Sequence, residues 1–436
     1  MRITVLGAGY LGATHAVCMA ELGHEVVAID TDEDKIASLA AGQAPFYEPG
    51  LAELLERGLK SGRLRFTTSY EEAGGFGDVH FICVGTPQQR DGRGADLTGV
   101  FSCAAELARY LRRRCLVVGR STVPAGTAAK VAEVLASTAP AGRQVELAWT
   151  PEFLREGHAV QDTLRPDRIV LGVASRWAEG RLRAVFAEAL GSGVPLLVTD
   201  YATAELVKVA ANAFLATKVS FINAVAEVCD AVGADVVKLA EALSYDSRIG
   251  SEYLRPGLGF GGGCLPKDIR AFAARSEELG LAALDFLHDV DEINLRARSR
   301  LVELVTTLVG ESLSGRRIAA LGATFKAATD DVRESPALDV AAQLVAAGAE
   351  VAVYDPQGAD NARRILPSAR YASSALDAAA DADAVLVLTD WPEFSTMDPA
   401  PLQAVVAVPR IVDGRHCLDP ARWRAAGWSY YAPGRP

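Results

Sequence analysis

Short apolar runs alternate with helix-length segments through the first part of the chain. Residues 2–7 have the pattern of a buried strand, residues 10–22 have helical spacing, and residues 24–30 return to a strand pattern. Further apolar runs with strand character follow at residues 79–84, 116–119, 145–150 and 169–172. This alternation predicts a parallel sheet flanked by helices.

The pattern changes after Asp200. Residues up to about 232 form an Ala-, Val- and Leu-rich helical pattern, and helical segments continue to about residue 310, interrupted by a glycine-rich loop at 256–266. From Arg317 the alternation of strands and helices returns. We therefore predict an α/β chain with a Rossmann-type domain at residues 1–199, a central helical domain at 200–310 and a Rossmann-like domain at 311–436.

Composition excludes several classes of protein. Half of the 436 residues are hydrophobic and 23% are charged, as in ordinary globular proteins. The net charge of -11 opposes binding to nucleic acid or to anionic membranes. The seven cysteines are scattered and lack metal-ligand spacing, so we expect no disulfide framework, no metal site and a cytoplasmic location.

A glycine-rich loop follows the first strand pattern. It runs Gly7-Ala8-Gly9-Tyr10-Leu11-Gly12 and opens a helix, and Asp30 ends the next strand. Glycines at these positions let backbone amides approach a pyrophosphate at the helix N-terminus, and the acidic residue accepts a hydrogen bond from the adenosine ribose. Because Asp30 would repel the extra phosphate of NADP, the loop predicts NAD as the cofactor.

A second glycine-rich segment, residues 259–268, contains Cys264. Glycines on both sides allow close approach of a substrate to the sulfur, and Lys267 with a helix start near Pro266 would favour a thiolate. An isolated cysteine is more often a small buried hydrophobe. We assign that role to the cysteines in apolar patterns: Cys18, Cys83, Cys103, Cys115 and Cys229.

Lys208 and Asn212 lie four residues apart on the predicted helix after Asp200, so they share one face. A lysine and an amide in an otherwise apolar helix can stabilise a developing alkoxide. The alternative is a lysine whose stem lies along apolar surface while its ammonium reaches solvent, beside an asparagine of the helix N-cap type.

The chain resembles the UDP-glucose/GDP-mannose dehydrogenase family over essentially its whole length. The motifs that carry the resemblance are residues 7–12, 82–87, 121–124, 151–157, Lys208 with Asn212, 259–268, and 325–326 with 329–336. The resemblance implies an N-terminal NAD domain, a central dimerisation domain and a C-terminal nucleotide-sugar domain, in a homodimer or higher homo-oligomer. It also implies oxidation of a sugar C6 alcohol to a carboxylate through a thiohemiacetal and a thioester on the cysteine.

The resemblance also assigns residues to roles. Cys264 is the nucleophile, Lys208 and Asn212 hold oxyanions, and Thr122, Glu152 and Asp268 position or activate water, with Glu152 as the hydrolytic base. The implied NAD contacts are Gly7, Gly9, Tyr10, Leu11, Gly12, Asp30, Lys35, Thr86, Thr122, Glu156, Lys267 and Arg333. The implied nucleotide-sugar contacts are Glu152, Phe153, Leu154, Arg155, Lys208, Asn212, Arg248, Tyr253, Leu254, Arg255, Pro256, Gly257, Gly261 and Lys326.

Residues 256–260 resemble the UDP-glucose branch of the family more than its GDP-mannose branch, so UDP-glucose is the favoured substrate. TDP-glucose, GDP-mannose and a UDP-N-acetylhexosamine remain alternatives. A two-electron hydroxyacid dehydrogenase would share the unit at 7–30 without needing Cys264, and a non-catalytic NAD-binding protein would have lost the reactive groups that are present here. The sequence departs from the usual family pattern at four places: Gly263, where serine commonly precedes the cysteine; Ala297, where glutamine is often found; Ala327-Ala328, where Pro-Asn is frequent; and His416, where asparagine is common.

Overall fold

The computed structural model describes residues 1–90, 92–310 and 312–436. The chain divides into two units, Met1–Ala211 and Asn212–Pro436, and the boundary falls inside the long helix Tyr201–Val232. Each unit has its own sheet and its own core. The predicted α/β architecture is confirmed.

The first unit is built on an eight-stranded sheet with strand order β3-β2-β1-β4-β5-β6-β7-β8. Its strands are β1 Arg2–Leu6, β2 Glu25–Ile29, β3 Leu64–Thr67, β4 Val79–Ile82, β5 Cys115–Gly119, β6 Val145–Trp149, β7 Ile169–Val173 and β8 Leu196–Thr199. Its helices are α1 Tyr10–Glu21, α2 Glu33–Ala40, α3 Leu51–Lys60, α4 Tyr70–Phe76, α5 Thr98–Ala108, α6 Thr127–Thr138, α7 Ala159–Leu164, α8 Arg176–Val185 and α9 Ala187–Gly191, with a short 3₁₀ turn at Gly142–Gln144.

Both faces of this sheet are covered, which explains why its central strands read as continuous apolar runs. In β1, Ile3 and Val5 pack into the core on one face, whereas Leu6 packs into the core on the other. The register of β1 with its neighbours on both sides is parallel, with Ile3 opposite Val26 and Val79.

The predicted parallel sheet contains one antiparallel pairing, which the sequence pattern did not indicate. Strand β7 runs antiparallel to β6, with Trp149 opposite Gly172. The connection at residues 150–168 does not cross a face of the sheet from end to end, as a parallel crossover must. It stays at the carboxyl edge, where it forms the loop that contains Glu152 and the short helix α7.

The second unit contains helices followed by a six-stranded parallel sheet of order β11-β10-β9-β12-β13-β14. Its strands are β9 Arg317–Leu321, β10 Glu350–Tyr354, β11 Arg370–Tyr371, β12 Ala384–Val387, β13 Arg410–Asp413 and β14 Ser429–Tyr431. Helix α10, Tyr201–Val232, begins in the first unit and ends in the second. The helices that follow it in the second unit are α11 Val236–Ser244, α12 Leu265–Glu278, α13 Phe286–Val309, α14 Pro336–Ala346, α15 Ala359–Ile365, α16 Ala375–Ala379, α17 Pro392–Ser395, α18 Pro399–Gln403 and α19 Pro420–Ala425.

Helix α10 is long and apolar enough to cross a membrane by length and composition, and 44% of its most apolar window is buried inside the protein. Core helices of soluble proteins pass the same test. Glu205, Lys208 and Asn212, three polar residues of this helix, are each less than a tenth exposed. Other protein segments therefore bury these three polar side chains.

Candidate functional site

The loop after β1 requires its glycines. Gly7 has φ +92°, and a Cβ on Gly12 would lie 1.7 Å from the carbonyl oxygen of Gly7. A Cβ on Gly9, by contrast, would meet nothing within 4 Å. The loop therefore packs tightly on its inner side and leaves open space at the N-terminus of α1, as a bound pyrophosphate requires.

Asp30 lies beside this loop. Its carboxylate accepts hydrogen bonds from the Ala8 amide at 2.8 Å and from Lys35 Nζ at 3.0 Å. Burial acts to raise the pKa of Asp30, but the hydrogen bonds from Lys35 and from backbone amides outweigh it and lower that pKa. Asp30 is thus ionised at neutral pH, and the structure brings Asp30 and Lys35 together.

We expect the protein to prefer NAD to NADP because a 2'-phosphate would face the ionised Asp30 and lose a charge-assisted hydrogen bond. The expected preference in kcat/KM is about 10- to 100-fold. Asp30→Ala should reduce the ratio of kcat/KM with NAD to that with NADP. Asp34→Ala, which alters an exposed carboxylate on α2, should leave this ratio unchanged. Equal or better kcat/KM with NADP in the unmodified enzyme would contradict the role given to Asp30.

Glu48 connects the glycine-rich loop at residues 7–12 to the loop after β6 through hydrogen bonds. Its carboxylate, which is 5% exposed, accepts a hydrogen bond from the Tyr10 hydroxyl and others from the amides of Gly157 and Ala159, both at 2.7 Å. Glu48 is not among the site residues that the sequence predicts. Its neighbours Pro-Phe-Tyr-Glu-Pro-Gly carry no recognisable signal, since the partners of the carboxylate are distant backbone groups.

Thr86 and Thr122 also meet at the carboxyl edge of this sheet. The Thr86 hydroxyl donates to the Thr122 carbonyl oxygen at 2.8 Å, and the neighbouring Ser121 hydroxyl donates to the Val84 carbonyl at 2.7 Å.

Two further residues of the expected NAD set also lie in the first unit. Leu11 packs against the core of this unit. Glu156 lies half-buried in the loop after β6.

A buried ion pair links the loop after β6 to helix α10. Lys208 Nζ lies 3.0 Å from Glu152 Oε1, and the two side chains are only 6% and 11% exposed. The second oxygen of Glu152 accepts the Leu154 amide at 2.6 Å, and the Lys208 ammonium lies 5.6 Å from the centre of the Phe153 ring. The alternative of a lysine at the surface of α10 is therefore wrong.

Arg155 lies at the outer side of the same loop. Its guanidinium forms two hydrogen bonds with Asp162, at 2.7 and 3.0 Å, and its side chain is 52% exposed.

In the second unit, Cys264 is the N-cap residue of α12, and it is exposed. The partial positive charge of a helix N-terminus favours negative charge at this position. The five cysteines assigned to the core are buried, as expected. Burial raises the pKa of four of them to about 12: Cys18, Cys83, Cys103 and Cys115.

Asp268, one turn into α12, is 2% exposed and joins two of the expected site residues. It accepts a hydrogen bond from Asn212 Nδ2 at 2.6 Å and lies 2.5 Å from Lys267 Nζ. Asn212, Lys267 and Asp268 thus form one hydrogen-bonded cluster at the start of the helix that Cys264 caps.

The glycine loop before Cys264 is held by helix α13 and by residues 325–336. The Phe260 amide donates to Asn294 Oδ1 at 2.7 Å, and Arg298 donates to the Phe260 carbonyl at 3.0 Å. A Cβ on Gly261 would lie 2.3 Å from the Glu334 carbonyl oxygen, and one on Gly263 would lie 2.5 Å from Cζ of Arg333. A serine at position 263 would therefore displace Arg333, which here pairs with Asp331.

Residues 253–257 and Lys326 also lie in the second unit. The Gly257 amide donates to Asn223 at 2.9 Å, Leu254 is buried and Tyr253 has φ +63°. Lys326 lies 5.7 Å from the ring centre of Phe325, whose ring packs close to Gly262.

Two arginines of the expected substrate set lie in exposed positions. Arg248 pairs with Asp246 and is 87% exposed. Arg255 lies 3.6 Å from Asp390, and its side chain is 69% exposed.

Arg415 was not anticipated. Its guanidinium donates to the carbonyls of Leu388 at 2.7 Å and Phe325 at 3.0 Å, and so fixes the segment that carries Lys326.

Two of the departures from the family pattern lie at positions where the backbone has a positive φ. Ala328 and His416 have φ +63° and +51°, a conformation that asparagine, the residue common at both positions, adopts more readily.

Models of the UDP-glucose/GDP-mannose dehydrogenase family match the chain in three places. The NAD binding domain matches residues 1–190, the central domain residues 202–296 and the UDP binding domain residues 319–420.

Individual relatives match over the full length. UDP-glucose 6-dehydrogenase of Rhizobium meliloti is 42% identical over 442 residues, with 100% of both chains covered. UDP-glucose 6-dehydrogenase YwqF of Bacillus subtilis is 39% identical, covering 100% of this chain and 98% of the relative.

A UDP-glucose dehydrogenase structure from the archaeon Pyrobaculum islandicum matches with a TM-score of 0.92 at 39% identity, covering 100% of this chain and 98% of that one. A UDP-D-ManNAc dehydrogenase structure from Pyrococcus horikoshii matches with a TM-score of 0.88 at 27% identity, covering 100% and 99%. The chain therefore belongs to the UDP-glucose/GDP-mannose dehydrogenase family, as an NAD-dependent oxidoreductase whose residues 1–190 are the family's NAD-binding domain.

Proposed function

We propose that this protein oxidises the C6 alcohol of UDP-glucose to a carboxylate, with NAD as the hydride acceptor, through a thioester on Cys264. The observation that carries this proposal is the position of Cys264. It is exposed at the N-terminus of a helix and follows a glycine loop, whereas the cysteines of the strands and helices are buried. An accessible sulfur next to positive charge is the arrangement that a nucleophilic cysteine needs.

The choice of UDP-glucose is supported by the relatives named UDP-glucose 6-dehydrogenase, which are about 40% identical over the whole chain. The same chemistry on TDP-glucose, GDP-mannose or a UDP-N-acetylhexosamine is the second candidate, because the structure of a UDP-D-ManNAc dehydrogenase also matches the full chain. A two-electron hydroxyacid dehydrogenase is disfavoured, because its reaction would not need a nucleophilic cysteine such as Cys264.

Covalent catalysis by Cys264 divides the oxidation into two hydride transfers and one hydrolysis. The C6 alcohol loses a proton and a hydride to give an aldehyde, and the Cys264 sulfur then bonds to the aldehyde carbon to give a thiohemiacetal. Loss of a proton and a second hydride from that carbon leaves the thioester. Attack by water breaks the carbon–sulfur bond and releases the carboxylate. Bound NAD supplies the hydride-accepting nicotinamide.

The ion pair of Lys208 with Glu152 and the hydrogen-bonded cluster of Asn212, Lys267 and Asp268 contribute different groups to this reaction. The ammonium of Lys208 and the amide of Asn212 are donors that stabilise negative charge on the C6 oxygen, where alkoxides form. Glu152 accepts the proton of the hydrolytic water, and Thr122 and Asp268 help to position that water. The ion pair with Lys208 holds the Glu152 carboxylate in place, and Asp268 orients Asn212 through the 2.6 Å hydrogen bond.

The residues expected to hold NAD fit the loop geometry. The open space at Gly9 suits the pyrophosphate, with Gly7, Gly12 and the first amides of α1 around it. The remaining proposed contacts in the first unit are Tyr10, Leu11, Asp30, Lys35, Thr86, Thr122 and Glu156, and those in the second unit are Lys267 and Arg333.

For the nucleotide sugar, we propose that the diphosphate and base are held by the basic residues and by the loop at 253–257. The proposed contacts are Glu152, Phe153, Leu154, Arg155, Lys208, Asn212, Tyr253, Leu254, Arg255, Pro256, Gly257, Gly261 and Lys326. Arg248, which is 87% exposed, is proposed to reach the ligand of a neighbouring subunit.

We expect Lys326→Ala to weaken nucleotide-sugar binding and leave the chemical step unchanged, because Lys326 supplies a cation for the diphosphate. KM for UDP-glucose should rise about 10-fold or more while kcat holds. Lys130→Ala, which alters an exposed lysine on α6, is the matched control. A fall in kcat with an unchanged KM would place Lys326 in the transition state instead.

We propose that residues 1–199, 200–310 and 311–436 are the three functional domains.

We also propose that the smallest assembly of this protein is a homodimer. Exposed apolar side chains support the dimer: on α10, Phe214, Phe221, Val228 and Val232 are 54–70% exposed and are spaced seven, seven and four residues apart. This spacing puts them on one side of the helix, where an exposed apolar patch favours association.

We expect the double variant Phe214→Asp with Phe221→Asp to lower the molar mass in solution to that of one chain, because a carboxylate cannot be buried in an apolar contact without a partner. Multi-angle light scattering after gel filtration measures this mass. Ile365→Asp, which changes an apolar residue that is 57% exposed at the end of α15, is the control. A mass that stays unchanged would move the interface elsewhere.

We also propose that the protein acts in the cytoplasm. None of its seven cysteines, all within the described residues, forms a disulfide.

The direct test of the function is a screen of UDP-, TDP- and GDP-sugars for NADH formation. UDP-glucose should give the highest kcat/KM and two NADH per sugar, since oxidation of an alcohol to a carboxylate removes two hydrides. One NADH per sugar, or no activity with any of these nucleotides, would contradict the proposal.

A further inference from the structure

A cavity of about 40 Å³ lies in the first unit behind the loop that contains Glu152. Its lining includes His15 of α1, Arg120 just after β5, Thr150 just after β6, and Glu152 itself. These four residues are 0%, 6%, 2% and 9% exposed. Because an enclosed water needs about 10–15 Å³ of such space, the cavity has room for about three waters.

Several polar atoms that line this cavity have no hydrogen-bond partner among the described residues. Both ring nitrogens of His15, Nε of Arg120 and the Thr150 hydroxyl have no hydrogen-bond partner among residues 1–90, 92–310 and 312–436. Leaving such groups unsatisfied in the protein interior is costly, so a polar ligand is expected wherever there is room for one. The ring centre of His15 lies 4.5 Å from that of Phe81, and Cζ of Arg120 lies 6.0 Å from the same ring centre.

The mixture of donors and acceptors selects water over an anion. Burial and the nearby Arg120 charge lower the pKa of His15 well below its usual range, so the ring is neutral, with one donor and one acceptor nitrogen. Arg120 donates only, whereas the Glu152 carboxylate accepts only. An anion would satisfy Arg120 but would leave the acceptor nitrogen of His15 unpaired and face a carboxylate, while water satisfies all of these groups.

We propose that this cavity holds a cluster of about three ordered waters, bound by His15, Arg120 and Thr150, from which Glu152 takes the water that cleaves the Cys264 thioester. This inference rests on the proposed thioester chemistry. In the step, the water oxygen bonds to the acyl carbon, one proton passes to the Glu152 carboxylate, the carbon–sulfur bond breaks and the thiolate leaves. No oxidation or reduction is involved. His15, Arg120 and Thr150 act as positioning residues, because they touch the water and not the substrate.

The first test is crystallographic. A high-resolution crystal structure of the full chain should show ordered water in the cavity, hydrogen-bonded to His15 and Arg120. A parallel crystal soaked in sodium bromide should show no anomalous peak there. A bromide peak would identify an anion site, and an empty cavity would show that the polar groups are not hydrated. Either result would overturn the inference.

The second test separates deacylation from the earlier steps. His15→Leu replaces the imidazole by an apolar group of similar size, so it should slow hydrolysis of the thioester about tenfold. Intact-mass spectrometry during turnover should then show the acyl-enzyme accumulating, while the dissociation constants of NAD and UDP-glucose stay unchanged. His15→Gln, which restores a donor and an acceptor, should recover most of the lost rate. A merely structural role for His15 would not hold back deacylation alone.

Thr150→Val, which removes only the hydroxyl, provides a second variant if His15→Leu does not fold. It should also slow deacylation and cause the acyl-enzyme to accumulate. Wild-type deacylation rates in the folded variants would overturn the water site and leave the proposed function intact. Absence of any thioester in Glu152→Gln would instead contradict the proposed function, so the two failures are distinguishable.

Discussion

Cys264→Ala is expected to reduce formation of the uronic acid by several orders of magnitude, because it removes the only covalent route from the aldehyde to the second hydride transfer. Binding of NAD and UDP-glucose should be nearly unchanged. The side chain is exposed and lies in a glycine-rich loop, so it contributes little to the core. The measurements are NADH stoichiometry, uronic acid formation and the two dissociation constants.

Two controls make this result specific. Cys417→Ala, which alters a half-buried cysteine of the second unit, should leave turnover close to that of the wild type. Glu152→Gln should allow the thioester to accumulate, and mass spectrometry should place the added sugar nucleotide on Cys264. An alanine variant that still forms two NADH per sugar at near the wild-type rate would rule out covalent catalysis.

Lys208→Met should be damaging in two ways. It leaves the Glu152 carboxylate, which is 11% exposed, without its cation, and loss of one partner of a buried ion pair costs about 3–5 kcal/mol of stability. It also removes a donor for the C6 oxygen, which should lower kcat by about 10²–10³-fold. Thermal unfolding and steady-state kinetics measure the two effects separately.

The double variant Lys208→Met with Glu152→Gln tests how the two effects are linked. Neutralising the carboxylate as well should recover much of the lost stability, because no uncompensated charge stays buried. Activity should remain low. Lys218→Met, on the same helix and bonded to the Ile249 carbonyl, is the control. Full activity of Lys208→Met would show that the ion pair is structural only.

Local sequence patterns predicted the elements that are buried on both sides. The central strands of the first sheet and helix α1 begin and end within two residues of the predicted bounds. Strands β3 and β8 were missed. Strand β3 has a charged Arg65 in its middle, and two of the four residues of β8 are exposed at the edge of the sheet. Edge strands need less apolar surface, so their sequences carry a weaker signal.

The sequence by itself identified the candidate residues for the chemistry. The glycine loop with Asp30, the proposed nucleophile Cys264 and the pair Lys208 and Asn212 are signals of residue type and short spacing, set by turns and helix faces that are local in the chain. The net charge of -11 likewise argued against nucleic-acid binding without any knowledge of the fold.

Only the tertiary structure decided which partners these residues have. Glu152 and Lys208 are 56 residues apart in sequence, as are Asn212 and Asp268. Glu48 and the cavity behind Glu152 depend on contacts among segments that are far apart in the chain. The free energy of a buried charge or an unpaired polar group depends on what surrounds it, and those surroundings exist only after the distant segments have packed together.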